Sequence, residues 1–263
     1  WGRDTDGQST PPTGTFESIS AGGFHSCGVL ASGSVACWGR DDDGQATPPA
    51  GSFSSVSAGA KHTCGIHIDG TIQCWGYDAD DRTVPPTGDF STVSAGAGHA
   101  CALTSGLPGD ACGGENVLDC TLACVPESTV DEYVGDDFCD DGFWDVHLYC
   151  DAFDFDDGDC EGESVEVPVR NTAQCWGFDF AGQAQAPDGA FTSVSAGSNH
   201  SCALAEGGTV QCWGSDTDGP ASPPSGLFQS VSAGNRHSCG ITIAGDAVCW
   251  GFNGFGESSP PSL

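Results

Sequence analysis

The chain contains no methionine and one lysine, Lys61, and its 6 basic residues face 37 acidic ones for a formal charge of −31. A surface that neutralises phosphates needs clustered Lys and Arg, so nucleic-acid binding and adhesion to anionic membranes are excluded as readings. No stretch approaches the roughly 18–20 consecutive apolar residues of a membrane-spanning helix, so membrane insertion is not expected. Without an initiator or an apolar leader, a chain opening at Trp1 reads as a processed product or a segment of something longer. What is abundant is equally informative. Sixteen cysteines suit an oxidising compartment rather than a reducing cytosol. Forty glycines and fifteen prolines favour turns and short strands over helices. The composition describes a secreted, acidic, disulfide-rich β protein.

Internal repeats dominate the sequence. Trp-Gly begins at Trp1, Trp38, Trp75, Trp176, Trp213 and Trp250, with four spacings of 37 and one of 101, which is 37 plus 64. Ser-Ala-Gly-x-x-His places His25, His62, His99, His200 and His237 at the same intervals. The chain is therefore five copies of one module with a 64-residue insertion in the third. Phe53-Ser-Ser-Val-Ser-Ala58, His62-Thr-Cys-Gly-Ile-His-Ile68 and Thr71-Ile-Gln-Cys-Trp75 read as three strands, with Cys64, Ile66 and Ile68 alternating onto one face. Asp69-Gly70 is a hairpin turn, and Gly33, Gly208 and Gly245 stand at its equivalents. Each Trp-Gly is followed by a polar loop, such as Asp41-Asp-Asp-Gly-Gln-Ala-Thr-Pro-Pro49.

The cysteines follow the hairpin. Cys27/Cys37, Cys64/Cys74, Cys202/Cys212 and Cys239/Cys249 are each ten apart and symmetric about the turn. Directly opposed strand residues lie about 4.5–5.5 Å apart at Cα, within disulfide reach. Cys101 and Cys175 are 74 apart, which is 10 plus 64, so the insertion grows from the tip of the third hairpin. Cys112, Cys120, Cys124, Cys139, Cys150 and Cys160 remain, the count for a three-disulfide mini-domain whose connectivity is one of fifteen. The expected organisation is 1–103 and 171–263 as repeat halves, with 104–170 as the insertion.

Ser57-Ala-Gly-Ala-Lys-His-Thr-Cys64 and Gly70-Thr-Ile-Gln-Cys-Trp-Gly76, with the Asp-Gly-Gln that follows elsewhere, resemble the regulator-of-chromosome-condensation repeat. The short period is most similar to a secreted bacterial branch of that family, which includes a propeller-type β-lactamase inhibitory protein. The resemblance implies an all-β fold: a β-propeller, or a propeller-like array of five short 37-residue blades plus a partial sixth. For secreted members it implies binding to another protein. Cysteine replaces the usual aliphatic at the paired hairpin positions, and Asp often replaces the loop Asn.

Three repeated features invite a chemical reading. Five histidines in register are read as structural, each tying its own blade to a backbone carbonyl, because a catalytic centre is normally unique. The repeated Trp is read as filling the space between blades rather than stacking a sugar. Asp4-x-Asp6-Gly7, Asp41-x-Asp43-Gly44 and Asp216-x-Asp218-Gly219 are read as side-chain-stabilised turns rather than calcium sites, since two carboxylates supply only part of a shell.

The insertion is richer in carboxylates. Residues 104–170 hold 19 of the 37 acids, concentrated in Gly135-Asp-Asp-Phe-Cys-Asp-Asp-Gly142 and Cys150–Cys160. Such packing repels itself unless a cation neutralises it, and bound Ca2+ would also order a segment too small for its own core. The same residues resemble a Notch-type repeat, whose hallmark is G-D-G-x-C-D followed by F-D-G-G-D-C. That resemblance carries calcium ligation onto Asp140, Asp156 and Asp159, with Asp136 as a fourth. Asp137 and Asp157 stand where the family has Gly.

No Ser-His-Asp signature, zinc-type spacing or Gly-rich phosphate loop stands outside the repeats. The expectation is therefore a non-enzymatic extracellular structural or interaction module, such as a subunit of a surface layer, adhesin or fibre. The alternative is a soluble inhibitor or lectin acting through one rim, which leaves carbohydrate as a second ligand class. Six Trp-Gly loops against five Ser-Ala-Gly-x-x-His strands make ring closure doubtful. Protein partners, including copies of the chain joined head to tail, are expected.

Overall fold

The computed structural model describes residues 2–105, 116–118, 124–126 and 171–260. The chain divides into two compact units, residues 1–104 with 171–263 and residues 105–170. The larger unit is a β-propeller of five three-stranded antiparallel sheets. The first contains β1 (Phe16–Ala21), β2 (His25–Leu30) and β3 (Val35–Gly39), and the second β4 (Phe53–Ala58), β5 (His62–His67) and β6 (Ile72–Gly76). The third takes β7 (Phe90–Ala95) and β8 (His99–Thr104). Two short strands of the smaller unit follow, β9 (Asn116–Leu118) and β10 (Cys124–Pro126), which pair antiparallel with each other. The third sheet is completed by β11 (Ala173–Gly177). The fourth holds β12 (Phe191–Ala196), β13 (His200–Ala205) and β14 (Val210–Gly214), and the fifth β15 (Phe228–Ala233), β16 (His237–Thr242) and β17 (Ala247–Gly251).

Each sheet is built the same way because each repeat carries the same instructions. The opening Phe is buried at Phe53, Phe90, Phe191 and Phe228. A register shift follows it in every first strand. The central strand is sandwiched between neighbouring blades, so β5 is buried from His62 to Ile66 rather than alternating. Ile68 lies beyond the strand end and is 75% exposed, so it does not join the expected apolar face. Gly70 closes the hairpin with φ +88, a left-handed conformation in which a side chain would be strained. It is followed by the pairing bond from His67 N to Thr71 O at 2.8 Å.

The third hairpin keeps this pattern across the insertion. Cys101 faces Cys175 in register, and Thr104 N donates to Thr172 O at 3.0 Å, the same bond one hairpin later.

The five hairpin disulfides form as the spacing predicts: Cys27–Cys37, Cys64–Cys74, Cys101–Cys175, Cys202–Cys212 and Cys239–Cys249. All sit at directly paired strand positions. Two details depart from the sequence-based picture. The bridged Cα atoms are 4.0 Å apart, closer than the expected separation, because the bond draws the two strands together. The two ends of a bridge are also unlike, despite their symmetry about the turn. Cys27, Cys64, Cys101 and Cys202 lie on central strands and are fully buried. Cys37, Cys74, Cys175 and Cys212 lie on the outer strands at the blade margins and are only half-buried. In the fifth sheet Cys239 and Cys249 are both half-buried, because no further sheet among the described residues covers that central strand.

Sheets pack in sequence order: β4 onto β2, β7 onto β5, β12 onto β8 and β15 onto β13. The Ala-Gly turns that end the five first strands surround one shared cavity of about 380 Å3.

Candidate interaction surfaces

Neighbouring blades are joined by a repeated set of bonds. Ala58 N donates to Ser20 Oγ, Ala95 N to Ser57 Oγ, Ala196 N to Ser94 Oγ and Ala233 N to Ser195 Oγ, each at 2.9 Å. Gly23 N donates to Gly59 O, Ala60 N to Gly96 O, Ala97 N to Gly197 O and Ser198 N to Gly234 O, at 3.0–3.2 Å. Glycine is required at the turn because a Cβ on Gly22 would stand 2.3 Å from Gly59 O.

The histidines add a third link. His25 Nε2 meets Thr63 Oγ1, His99 meets Ser201 and His200 meets Ser238, all at 2.8 Å. Each hydroxyl donates its proton to a loop carbonyl, of Gln45, Gln183 or Pro220, so the imidazole must be the donor. The histidine therefore ties its blade to the next blade's hydroxyl, not to a carbonyl of its own. Sequence alone misses this because the partner is 38 or 102 residues away. Burial holds His25, His99 and His200 at a pKa of about 4, and His62 at about 3. Buried, neutral and proton-donating, His25, His99 and His200 are fasteners.

Two junctions differ. Across from His62 stands Ala100, which has no hydroxyl, and both imidazole nitrogens of fully buried His62 lack partners. Between the fifth and first sheets, none of the three links forms among the described residues. Ala21 N finds no Ser232 Oγ and Asn235 N no Gly22 O, while Ser26 donates to Gln8 O with no imidazole beside it. The consequence is visible in packing. Ile19 is 72% exposed, whereas its equivalents Val93, Val194 and Val231 pack into the cores between sheets. Among the described residues the blade array is open at this junction.

Tryptophan fastens the loops. Trp38 Nε1 donates to Gln8 O, Trp75 to Gln45 O, Trp176 to Arg82 O, Trp213 to Gln183 O and Trp250 to Pro220 O, at 2.9–3.1 Å. An Asp near the start of each loop, Asn253 in the last, closes it. Asp41 Oδ1 accepts from Ala46 N at 2.7 Å and Oδ2 from the Thr47 hydroxyl at 2.6 Å, and Asp4 and Asp216 do the same. Hydrogen bonds from Thr10 and from Ser9 N hold the Asp4 carboxyl below its usual range. The turn reading of these acids thus has its bonds, and no group of three or more metal-ligating side chains converges among the described residues. Asp136, Asp140, Asp156 and Asp159, with Cys112, Cys120, Cys139, Cys150 and Cys160, lie outside the described residues; Cys124 opens β10.

A feature the repeat pattern hid lies at the rim formed by the loops. The residue before each repeated His faces the residue after each Trp-Gly, joined by bonds such as Arg40 N to Phe24 O and Tyr77 N to Lys61 O. Three of these five pairs combine a cation with an aromatic ring: Phe24 with Arg40, Lys61 with Tyr77, and Arg236 with Phe252.

Four segments, residues 16–45, 53–80, 191–219 and 228–257, match the family model described as the regulator of chromosome condensation (RCC1) repeat. These four segments are RCC1-like repeats. No curated protein matches. Among solved structures, the ectodomain of the Physcomitrella patens receptor kinase CR4 is similar at 21% identity and a TM-score of 0.56, over 91% of this chain and 55% of that one. Human WBSCR16 is similar at 12% identity and a TM-score of 0.55, over 92% of this chain and 63% of that one. Prp20p of Saccharomyces cerevisiae matches at 16% identity and a TM-score of 0.46, over 90% of this chain and 72% of that one. The chain thus spans only about half the length of the CR4 ectodomain.

Proposed function

We propose that this chain is a non-enzymatic extracellular interaction module that binds other proteins, including copies of itself, and is stabilised by disulfides and calcium. The observation that carries the reading is the open junction. Four junctions show which groups a blade offers to its neighbour, and the first and fifth sheets present the two complementary halves without a neighbour among the described residues. Unpaired strand faces of this kind are association sites, and a head-to-tail contact that does not close propagates. The repeated histidines, indoles and loop carboxylates are spent on fastening blades, which supports a non-catalytic role. Five hairpin disulfides suit an oxidising, extracellular setting, and the CR4 match is itself an ectodomain. Calcium is assigned to Asp140, Asp156 and Asp159 with Asp136 from the sequence motif.

Native mass spectrometry of the secreted chain, with and without chelator, tests this reading. Concentration-dependent assembly or a captured protein partner is expected, with loss of protease resistance over residues 112–160 when calcium is removed. A lone monomer that captures nothing, unchanged by chelator, would refute it. The second reading, a soluble binder using one rim, is favoured by the exposed aromatics of the loops.

A further inference from the structure

The loop rim repeats one arrangement. Four of the chain's six cations lie there, each over an aromatic ring: Arg40 at 5.5 Å from Phe24, Lys61 at 5.2 Å and Arg82 at 5.0 Å from Tyr77, and Arg236 at 4.4 Å from Phe252. An aspartate pairs with every one of them: Asp42, Asp43, Asp80 and Asp218 respectively. In the third blade the aromatic is present and the cation is not. Phe178 N donates to Gly98 O, so glycine stands where Lys61 and Arg236 stand in their blades. Phe178 stacks with Phe180 at 6.4 Å and an interplanar angle of 13°, and Phe180 is 89% exposed. Arg82, which approaches Gly98, is committed elsewhere: it lies over Tyr77 and bonds Asp80 and the Ala79 carbonyl.

We propose that the Phe178–Phe180 pair is the docking point for an arginine or lysine side chain of a partner protein. The proposal rests on the interaction-module reading and names the chemistry of the partner. Aromatic faces attract cations through the ring quadrupole, and guanidinium groups stack best. The chain's own rim repeats that arrangement at four cations. A net charge of −31 draws a basic partner towards the platform. A basic protein segment therefore fits where an acidic or neutral one would not.

The test is fluorescence anisotropy with a labelled Arg-Gly repeat peptide, comparing the full chain with Phe178→Ala/Phe180→Ala and with Ile68→Ala/Ile243→Ala. The last pair removes exposed apolar groups at hairpin turns away from the platform. Loss of the platform should weaken binding about five- to tenfold, the effect of two exposed cation–π contacts, while the hairpin variant binds like the parent. A matching peptide with neutral citrulline for arginine should bind parent and platform variant alike. Equal binding of the arginine peptide to parent and Phe178→Ala/Phe180→Ala would overturn the proposal. So would platform-dependent binding to a glycan array with no peptide binding, which would make the pair a sugar site. A native partner captured equally by both forms would remove this inference and leave the interaction-module reading intact. Platform-dependent peptide binding by a chain that captures no partner would do the reverse.

Discussion

The junction between the first and second sheets and the gap between the fifth and first are made of the same residue types, yet one is sealed and the other is not. At the sealed junction His25 reaches Thr63, Ala58 reaches Ser20, and Gly23 reaches Gly59. At the gap, His237, Ser232 and Asn235 have Ser26, Ala21 and Gly22 as their counterparts, but none of those bonds forms. The disulfides register the same contrast: Cys27 is fully buried, whereas Cys239, its equivalent beside the gap, is half-buried. Blade identity alone does not close a propeller; the neighbouring face must arrive at the right place. The junction of the second and third sheets is intermediate, with two of the three links and an orphaned His62. It shows what one missing hydroxyl does when all else is preserved.

Acid should separate sealed from open junctions most strongly. The sealed-junction histidines are held at about 4 when folded, and His62 at about 3, against 6.5 when free, so the unfolded chain binds their protons first. Their contribution is complete above about pH 6.5 and is lost as pH falls towards 4, by up to about 1.4 kcal/mol per pH unit for each histidine. Circular-dichroism melts should show the midpoint dropping steeply between about pH 6.5 and 4.5. A flat profile there would mean that the imidazoles are not buried as fasteners.

A smaller contrast is expected between two equivalent side chains. Val93→Ser, in the packed core between sheets, should cost about 1–3 kcal/mol, whereas Ile19→Ser at the open face should stay within about 0.5 kcal/mol. Denaturant midpoints of the two variants would show it, and similar losses would place a neighbour over Ile19.

The finest comparison exchanges one hydroxyl. Thr63→Val should cost about 1–3 kcal/mol, because it orphans the buried His25 donor, while Gln45 O keeps the Trp75 indole. Ala100→Ser should gain about 1 kcal/mol by placing a hydroxyl between His62 Nε2 and the Arg82 carbonyl. Thermal melts at neutral pH resolve both, and a destabilising Ala100→Ser would break the equivalence of the junctions.

Much of this molecule was legible in 37-residue spacing. The three strands per blade, the hairpin glycines and the ten paired cysteines all follow from the strand and repeat periods and from symmetry about Gly70. The mismatch of six loops with five strand sets also raised the gap. What escaped was lateral. A histidine's partner lies in the next blade, and Ala100 becomes a defect only once it faces His62. The unequal burial of Cys64 and Cys74 is lateral too, since it depends on which strand lies at the blade margin. Ile68 continued an alternating pattern on paper but fell past the end of β5, where the chain turns. The rim pairs were hidden because cation and ring exchange positions from blade to blade, as in Phe24 with Arg40 and Arg236 with Phe252. No single column of the repeat is constant in type there.

Amide hydrogen exchange at the Ala-Gly turns tests the open junction most directly. Ala58, Ala95, Ala196 and Ala233 donate to the neighbouring blade's serine, while the equivalent amide of Ala21 has no such acceptor. In dilute monomer, Ala21 should exchange orders of magnitude faster than the other four. Protection of Ala21 equal to that of Ala58 would mean that the ring is sealed, and the open-junction reading would fall with it.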